Sequence, residues 1–273
     1  MAKELDGRTA IVTGASSGIG RAVAEHLARS GAHVFLSGRT AEALEHVREG
    51  IAHAGGSASS VVADLRDLAQ VTGLVDRAVA ETGRLDVMVN NAGIEFPAAI
   101  LDGRAEDWRA MLETNVLALL AGCQAAVKAM RACSAEGHIV NVSSVSAQRP
   151  NSGVYGATKH AVNTISASLR DELEEDTIRV VNVMPGATST NFARNFPEAF
   201  VDRIIGMSGM DVAFEPGQHL PSETLEALAE RLKPLLCSPE DVARAVLYAV
   251  TQPINVNIAD IVIRPPRAMT LAH

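Results

Sequence analysis

The chain has 273 residues, of which 47% are hydrophobic and 21% are charged. This balance is typical of a packed globular protein and argues against a disordered one. The formal net charge of −8 argues against a nucleic-acid-binding protein, because such proteins usually carry a basic excess or a basic stripe. For this length we expect one domain.

The cysteines, the histidines and the N-terminal segment bear on metal sites and location. The chain has three cysteines, Cys123, Cys133 and Cys237, an odd number without metal-ligand spacing, which favours reduced thiols. No pair of histidines forms an H-x-x-x-H or H-E-x-x-H pattern, so we expect no metal. The N-terminus lacks the apolar run of a secretory signal, and no stretch reaches membrane-spanning length without charges. We therefore expect a cytoplasmic protein with no membrane partner.

Short, nearly continuous hydrophobic runs alternate with longer amphipathic segments along the chain. The predicted strands are residues 9–14, 33–38, 58–64, 85–93, 137–144, 178–186 and 259–265. The predicted helices are residues 18–30, 41–54, 67–82, 105–132, 155–175 and 239–251. Continuous apolar runs are typical of parallel strands buried on both faces. The alternation predicts an α/β fold, a single-domain Rossmann-type doubly wound parallel sheet of about seven strands with helices on both faces.

One segment, residues 191–237, interrupts this alternation. It contains four prolines, many apolar side chains and one predicted amphipathic helix at 223–232. A long excursion in a compact domain is usually functional or mobile. We predict a variable lid that covers the substrate, with a structural ornament or an oligomer contact as the alternative.

A glycine-rich turn, "TGASSGIG" (13–20), follows the first predicted strand and opens the first predicted helix. Glycine lets the backbone approach a pyrophosphate and lets helix pack closely on strand. The helix N-terminus offers free amide groups to phosphates. This placement predicts a dinucleotide site.

The end of the second strand indicates which dinucleotide binds. Gly38 and Arg39 stand where an NAD site normally carries an acidic residue for the ribose hydroxyls. A carboxylate would repel a 2′-phosphate, whereas a guanidinium binds one through charge-assisted hydrogen bonds. Thr40 and either Ser16 or Ser17 could add hydroxyl contacts. We predict NADP(H), and the alternative is that Arg39 is a solvated surface charge.

Tyr155 and Lys159 stand four residues apart in a predicted helix, so their side chains share one face. Such a spacing also arises by chance. A free phenol, with a pKa near 10, is a poor acid–base catalyst at neutral pH, and a nearby cation lowers that pKa. The pair therefore predicts a proton donor tuned toward neutral pH.

Six motifs together identify a resemblance to a known family. They are Thr13–Gly20 (TGASSGIG), Asn90–Gly93 (NNAG), Asn115 in "ETNV", Ser144 in "NVSS", Tyr155–Lys159 (YGATK) and Pro185–Gly186. With these motifs in this order, the chain from Arg8 to Ile263 resembles the short-chain dehydrogenase/reductases. Its C-terminal segment and the motif "VYGATK" look most like an NADP-dependent branch of that family. The resemblance implies hydride transfer between a nicotinamide and a carbonyl or secondary alcohol.

The resemblance also implies four catalytic residues. Tyr155 would protonate the substrate oxygen and Ser144 would hydrogen-bond it. Since strand side chains alternate faces, Ser144 or Ser143 can face the site, and the match favours Ser144. Lys159 would bind the nicotinamide ribose. Asn115, in a helix where asparagine is mildly unfavourable, would link to Lys159 through water, and its alternative is a helix irregularity or a surface amide.

The cofactor and substrate contacts follow from the same resemblance. The implied cofactor site comprises Gly14, Ser16, Ser17, Gly18, Ile19, Gly20, Arg39, Thr40, Asp64, Leu65, Asn91, Ala92, Gly93, Tyr155, Lys159, Pro185, Gly186, Thr188 and Thr190. The implied substrate contacts are Ser144, Tyr155, Phe96 and Gln148. The expected pocket wall, formed by residues 95–97, 145–153 and the lid, is largely apolar and suits a medium-sized ketone or aldehyde. Arg149 could pair with a substrate carboxylate or remain a solvated loop charge.

Two other functions are possible on this fold, and the family resemblance also predicts how the chain assembles. An NADP(H)-binding sensor without turnover would need the cofactor loop without the four catalytic residues. An isomerase, dehydratase or epimerase on the same fold would be favoured by T-G-x-x-G-x-x-G, which differs from the motif present. The family usually assembles through its two long central helices, here 105–132 and 155–175, so we expect a homo-oligomer, a tetramer or a dimer.

Overall fold

A seven-stranded parallel sheet forms the centre of the computed structural model, which describes residues 3–267. The strands are β1 (Thr9–Thr13), β2 (His33–Gly38), β3 (Ser57–Val62), β4 (Val87–Asn90), β5 (Gly137–Val142), β6 (Ile178–Pro185) and β7 (Asp260–Ile263). The helices are α1 (Gly18–Arg29), α2 (Ala41–His53), α3 (Leu68–Thr82), α4 (Ala105–Leu112), α5 (Ala118–Ala132), α6 (Gly153–Glu172), α7 (Glu198–Met207), α8 (Ser222–Arg231) and α9 (Pro239–Val250). The predicted Rossmann-type fold class is confirmed.

Apolar side chains on both faces of the sheet explain why its strands are continuous hydrophobic runs. Every residue of β1, β4 and β5 is buried. On one face, Val12 packs in a cluster with side chains of α1 and α9. On the other face, Ile11 and Met88 pack with side chains of α3 and α5. Helices therefore cover both faces, as parallel strands require.

The strand order β3-β2-β1-β4-β5-β6-β7 places a reversal between β1 and β4. The chain builds outward from β1 to β3 and then returns to β4 on the other side of β1. Ligands of open α/β sheets bind outside the carboxyl ends of the strands at such a point. The predicted strand at 85–93 is shorter in the structure, because Asn91 turns to hydrogen-bond Thr13 instead of continuing the ladder.

The long predicted helix at 105–132 is interrupted. A π-helical turn, Glu113–Leu117, separates α4 from α5. Among the described residues, only this helical stretch is long and apolar enough to cross a membrane. However, half of its most apolar 18-residue segment is buried inside the domain. It is packed as a core helix of the fold.

The lid, residues 191–237, contains more regular structure than the sequence predicts. It holds a 3-10 turn (Asn191–Asn195), α7 and α8. The predicted helix at 223–232 corresponds to α8, whereas α7 was not predicted, because prolines and glycines flank its short apolar run. Buried Val201, Phe214 and Leu228 form an apolar cluster within the lid.

Candidate active site

A cavity of about 1250 Å³ lies between the carboxyl ends of the strands and the lid. Every residue predicted from the sequence as a cofactor or substrate contact lines this cavity. Of the four predicted catalytic residues, Asn115 alone lies behind the wall. The fold thus gathers side chains from segments far apart in the sequence around one space.

The glycine-rich turn brings backbone against backbone at one end of the cavity. Gly14 has φ +65°, a conformation that L side chains rarely adopt. A Cβ at Gly20 would lie 2.3 Å from the Gly14 carbonyl oxygen. The first turn of α1 begins at Gly18 and presents amide groups to the cavity, the arrangement that binds phosphate groups.

Asn91 joins the end of β4 to the end of β1. Its Nδ2 donates to the Thr13 carbonyl oxygen at 2.8 Å. The backbone amides of Asn91 and Ala92 both donate to Thr13 Oγ1, at 2.9 and 3.0 Å. A Cβ at Gly93 would lie 3.4 Å from Lys159 Nζ, so the small residue leaves room beside the ammonium group.

Tyr155 and Lys159 lie on one face of α6 and are both buried. The Lys159 Nζ lies 5.8 Å from the centroid of the Tyr155 ring and donates to the Val142 carbonyl oxygen at 2.8 Å. Burial lowers the pKa of Lys159 to about 8, and the Glu95 carboxylate opposes this shift. The ammonium group therefore titrates close to the physiological range.

The pKa of Tyr155 is raised above its ordinary value, mainly by burial and then by the charge of Glu95, while Ser144 opposes the rise through a hydrogen bond. The sequence argument that Lys159 would lower this pKa is not matched in the protein alone. The reason is that burial disfavours the charged phenolate, and the negative charge of Glu95 disfavours it further. Tyr155 is held in the protonated form, which is the form that donates a proton.

The two serines after β5 have different environments. Ser143 Oγ lies 3.0 Å from the Lys159 carbonyl oxygen and 2.6 Å from Asn163 Oδ1, and these two acceptors share its one hydroxyl hydrogen. Ser144 Oγ accepts from the Ser146 amide at 3.1 Å and lies close enough to Tyr155 to affect its pKa. Ser144 is thus the serine placed beside the phenol, whereas Ser143 holds β5 against α6.

Asn115 sits in the π-helical turn and holds the chain that follows Gly93. Its Oδ1 accepts from the Ile94 amide at 2.9 Å, and its Nδ2 donates to the Ile94 carbonyl oxygen at 2.9 Å. The same Nδ2 donates to Thr158 Oγ1 at 3.1 Å. This pair of hydrogen bonds to the backbone of one residue was not predicted from the sequence, and the water-mediated link from Asn115 to Lys159 stays a prediction.

Positive charge collects at the far end of the cavity from Tyr155. Arg39 directly follows Gly38, which has no side chain. A Cβ built at Gly38 would lie 3.6 Å from Ser16 Oγ, so Ser16 and Arg39 both lie next to this open position. Arg194, from the lid, lines the same cavity. Burial and the nearby Arg39 guanidinium lower the pKa of Arg194. Within residues 3–267 neither arginine forms an ion pair with a carboxylate.

The remaining predicted cofactor contacts frame this end. Asp64 is paired with Arg66, which hydrogen-bonds the carboxylate and lowers its pKa to about 2. A Cβ at Gly18 would lie 3.1 Å from Thr190 Cγ2. Thr190, the residue directly before the lid, therefore packs against the glycine-rich turn. Arg194 was not predicted as a cofactor contact, since it is only in the folded chain that it lies close to Arg39.

The substrate end of the cavity is aromatic. The Phe192 ring centroid lies 5.6 Å from that of Tyr155, a contact that the sequence analysis missed. Gln148 Nε2 donates to Met184 Sδ at 3.6 Å, and Arg149 is exposed at the rim. Glu95 lines the same end, and burial raises the pKa of its carboxyl to about 7.

The chain is similar to known proteins along nearly its whole length. A family model described as short chain dehydrogenase matches residues 8–199. Over 263 residues the chain is 34% identical to a glycine betaine reductase of Emericella nidulans, with 96% of this chain but 19% of that protein covered. It is 32% identical to an uncharacterized oxidoreductase of Staphylococcus aureus, with 96% and 98% covered.

The fold of a solved structure also matches. A metagenomic short-chain oxidoreductase in complex with NADP superimposes with a TM-score of 0.74 at 30% identity, covering 98% of this chain and 100% of that one. Together with the family match over residues 8–199, this likeness shows that the chain belongs to the short-chain dehydrogenase/reductase family of oxidoreductases.

Proposed function

We propose that this protein is an NADP(H)-dependent reductase of ketones or aldehydes, or the reverse alcohol dehydrogenase. One observation carries the proposal. Tyr155, Ser144 and Lys159 meet at the end of a cavity whose other end is the glycine-rich turn. A dinucleotide site thereby runs directly into a site for proton transfer to a carbonyl oxygen.

The bound nicotinamide would supply the hydride for the carbonyl carbon. Tyr155 would donate its phenolic proton to the carbonyl oxygen, so that C=O becomes CH–OH. Ser144 would donate a hydrogen bond to the same oxygen as negative charge develops there. Lys159, with its pKa lowered to about 8 by burial, would stabilise the phenolate left behind and pass a solvent proton back to it.

Three features support NADP(H) over NAD(H). The end of β2 carries no acid at Gly38, and Arg39 and Ser16 flank that position. Arg194 adds a second guanidinium from the lid. Two arginines without carboxylate partners in the described chain suit a 2′-phosphate, which both can bind through charge-assisted hydrogen bonds. The glycine-rich turn fits the dinucleotide, since the first turn of α1 begins at Gly18 beside the cavity and offers its free amide groups to the phosphates.

The location and assembly are also part of the proposal. A cytoplasmic enzyme fits the reduced cysteines. Leu112, Leu117 and Leu120 are exposed at 48%, 45% and 41% along the long central helix. Apolar side chains exposed in a row favour contact with a second copy, so we expect a dimer or tetramer through this helix, measured by light scattering.

The chemistry is tested with Tyr155→Phe and a panel of ketones and aldehydes. We expect wild type to oxidise NADPH with at least one carbonyl compound, and the variant to lose roughly 10²–10⁴-fold in kcat while it still binds NADPH. Binding of NADPH without reduction of any carbonyl compound by wild type would instead support a cofactor-sensing protein.

The cofactor choice is tested with Arg39→Ala and, separately, Arg194→Ala. Each substitution removes a cation near the proposed 2′-phosphate. We expect kcat/KM for NADPH to fall by roughly 10-fold or more in Arg39→Ala, and NADH to be affected little. An equal loss with both cofactors would show that these arginines serve the fold and not the phosphate.

A further inference from the structure

Glu95 lies in the cavity wall next to the proposed reaction centre, and its main chain is held on both sides. The preceding residue, Ile94, exchanges two hydrogen bonds with the Asn115 side chain at 2.9 Å each. From the lid, Asn195 Nδ2 donates to the Glu95 carbonyl oxygen at 3.2 Å. The Glu95 side chain therefore has a fixed origin where the lid meets the sheet.

The Glu95 carboxylate has no partner among residues 3–267. It accepts no hydrogen bond there and forms no ion pair within 4.0 Å. Lys159 is close enough for the two charges to influence each other, but its Nζ donates to the Val142 carbonyl oxygen instead. The side chain is half-buried and lines the cavity, so its carboxylate can pair with a positively charged group of a bound substrate.

The cavity that Glu95 lines also contains several aromatic rings. Phe96, Phe192, Phe196 and Phe200 all line the cavity. Phe192 packs on Tyr155, and the Phe196 and Phe200 ring centroids are 5.4 Å apart. Aromatic faces attract alkylated ammonium groups, which also bury their methyl groups.

We propose that the carbonyl substrate carries an amine or quaternary ammonium group a few bonds from its carbonyl, held by Glu95 and the phenylalanine rings of the lid. This inference rests on the proposed reductase function, since it names the substrate class of the same site. An acidic substrate would place a second negative charge against Glu95. A neutral apolar substrate would leave the carboxylate without a partner.

Isosteric substrate pairs test the charge alone. Betaine aldehyde and tert-butylacetaldehyde have the same shape and differ in one positive charge, as do trimethylammonioacetone and methyl neopentyl ketone. We expect wild type to reduce the charged member of at least one pair with a kcat/KM roughly 10–100-fold above that of the neutral member, the range expected for one charge-assisted contact.

Two matched variants locate the effect. Glu95→Gln keeps the size of the side chain and removes its charge, and we expect the charged-to-neutral ratio to fall about tenfold or more. Glu198→Gln makes the same change at an exposed position of α7 outside the cavity, and we expect the wild-type ratio. NADPH binding shows that each variant is folded. If Glu95→Gln does not fold, wild type is tested for inhibition by tetramethylammonium chloride, with sodium chloride at equal ionic strength as the control.

The outcomes separate this inference from the function on which it rests. Equal reduction of both members of each pair overturns the inference and leaves the reductase intact. A preference for the charged member that Glu95→Gln retains also overturns the assignment to Glu95, as does the absence of inhibition by tetramethylammonium in the second test. If no carbonyl compound in the pairs or the panel is reduced, the proposed function itself fails.

Discussion

The two walls of the cavity are built in different ways. The sheet wall, formed by the ends of β1, β4 and β5 with α6, is held by short hydrogen bonds such as Asn91 to Thr13 and Lys159 to Val142. The lid wall is held by its own apolar cluster, and Asn195 reaches across to the sheet wall. The difference teaches that the residues proposed for proton transfer lie on the hydrogen-bonded wall, while the lid has an apolar core of its own and can vary separately from that wall.

The largest expected effect on cofactor binding comes from Gly20→Ala in the sheet wall. The new Cβ would lie 2.3 Å from the Gly14 carbonyl oxygen and 2.5 Å from Asn91 Nδ2, and neither strand end can move freely. We expect the variant to lose about 2 kcal/mol or more of unfolding free energy and most of its NADPH affinity. Thermal unfolding and cofactor fluorescence measure the two losses.

Gly206→Ala provides the matched control in the lid. Gly206 lies in α7, and a Cβ there would meet nothing within 4 Å. Alanine is the better helix former by about 1 kcal/mol, so this variant should be unchanged or slightly more stable. Wild-type NADPH affinity in Gly20→Ala would contradict the close packing described for the glycine-rich turn.

An intermediate effect is expected from Phe214→Ala in the lid cluster. Phe214 is buried with Val201 and Leu228, and truncating such a phenylalanine costs about 3–5 kcal/mol of local stability. We expect faster amide exchange across residues 191–237 and a lower kcat/KM, while the amides of β1 and β4 keep their protection. Hydrogen exchange read by mass spectrometry separates the two walls.

Phe35→Ala is the corresponding change in the sheet, where Phe35 is fully buried. It should lower the unfolding free energy of the whole domain by a similar amount. If Phe214→Ala also accelerates exchange in β1 and β4, the lid and the sheet unfold as one unit, and the distinction between the walls fails.

The smallest expected effect is a pH dependence of stability due to Glu95, where the walls meet. Burial raises the pKa of its carboxyl from 4.5 to about 7, so the folded protein retains a proton that the unfolded chain releases. This contribution to stability is full below the unfolded pKa and is lost as the pH rises through about 7. Lys159 of α6 opposes this shift through its positive charge, and Glu95 in turn raises the pKa of Tyr155.

Glu95→Gln lacks this titration. We therefore expect its unfolding free energy to improve relative to wild type between about pH 5 and about pH 8, as measured by urea denaturation. A difference between the two proteins that is the same at both pH values would show that the carboxyl is not held away from water.

The sequence alone was sufficient for the fold class and for the positions of most of the cavity lining. Apolar strand runs and the six motifs place their residues at the carboxyl edge of the sheet, because parallel strands all end at that edge. The alternation of strand side chains left either Ser143 or Ser144 to face the site, and the family resemblance favoured Ser144; in the structure the two hydroxyls have separate partners.

The lid contacts could not be predicted in this way. Arg194 lies near Arg39, and Phe192 packs on Tyr155. Both lid residues belong to an irregular segment whose sequence has no periodic pattern, so their positions could not be predicted. The direction of the Tyr155 pKa shift was also beyond the sequence, since a spacing of four residues gives the proximity of Lys159 but not the degree of burial.

The π-helical turn at Glu113–Leu117 has a consequence for the long central helix. An α-helix advances about 100° per residue, so one residue added within a turn rotates everything after it by that amount. α4 can therefore face α6 while α5 faces α3 and β4, which an uninterrupted helix would not allow with the same side chains. Deleting a single residue here would restore regular winding and would rotate α5, with the exposed Leu120, by about 100° relative to α4. The turn thus sets the direction in which the outer face of α5 points.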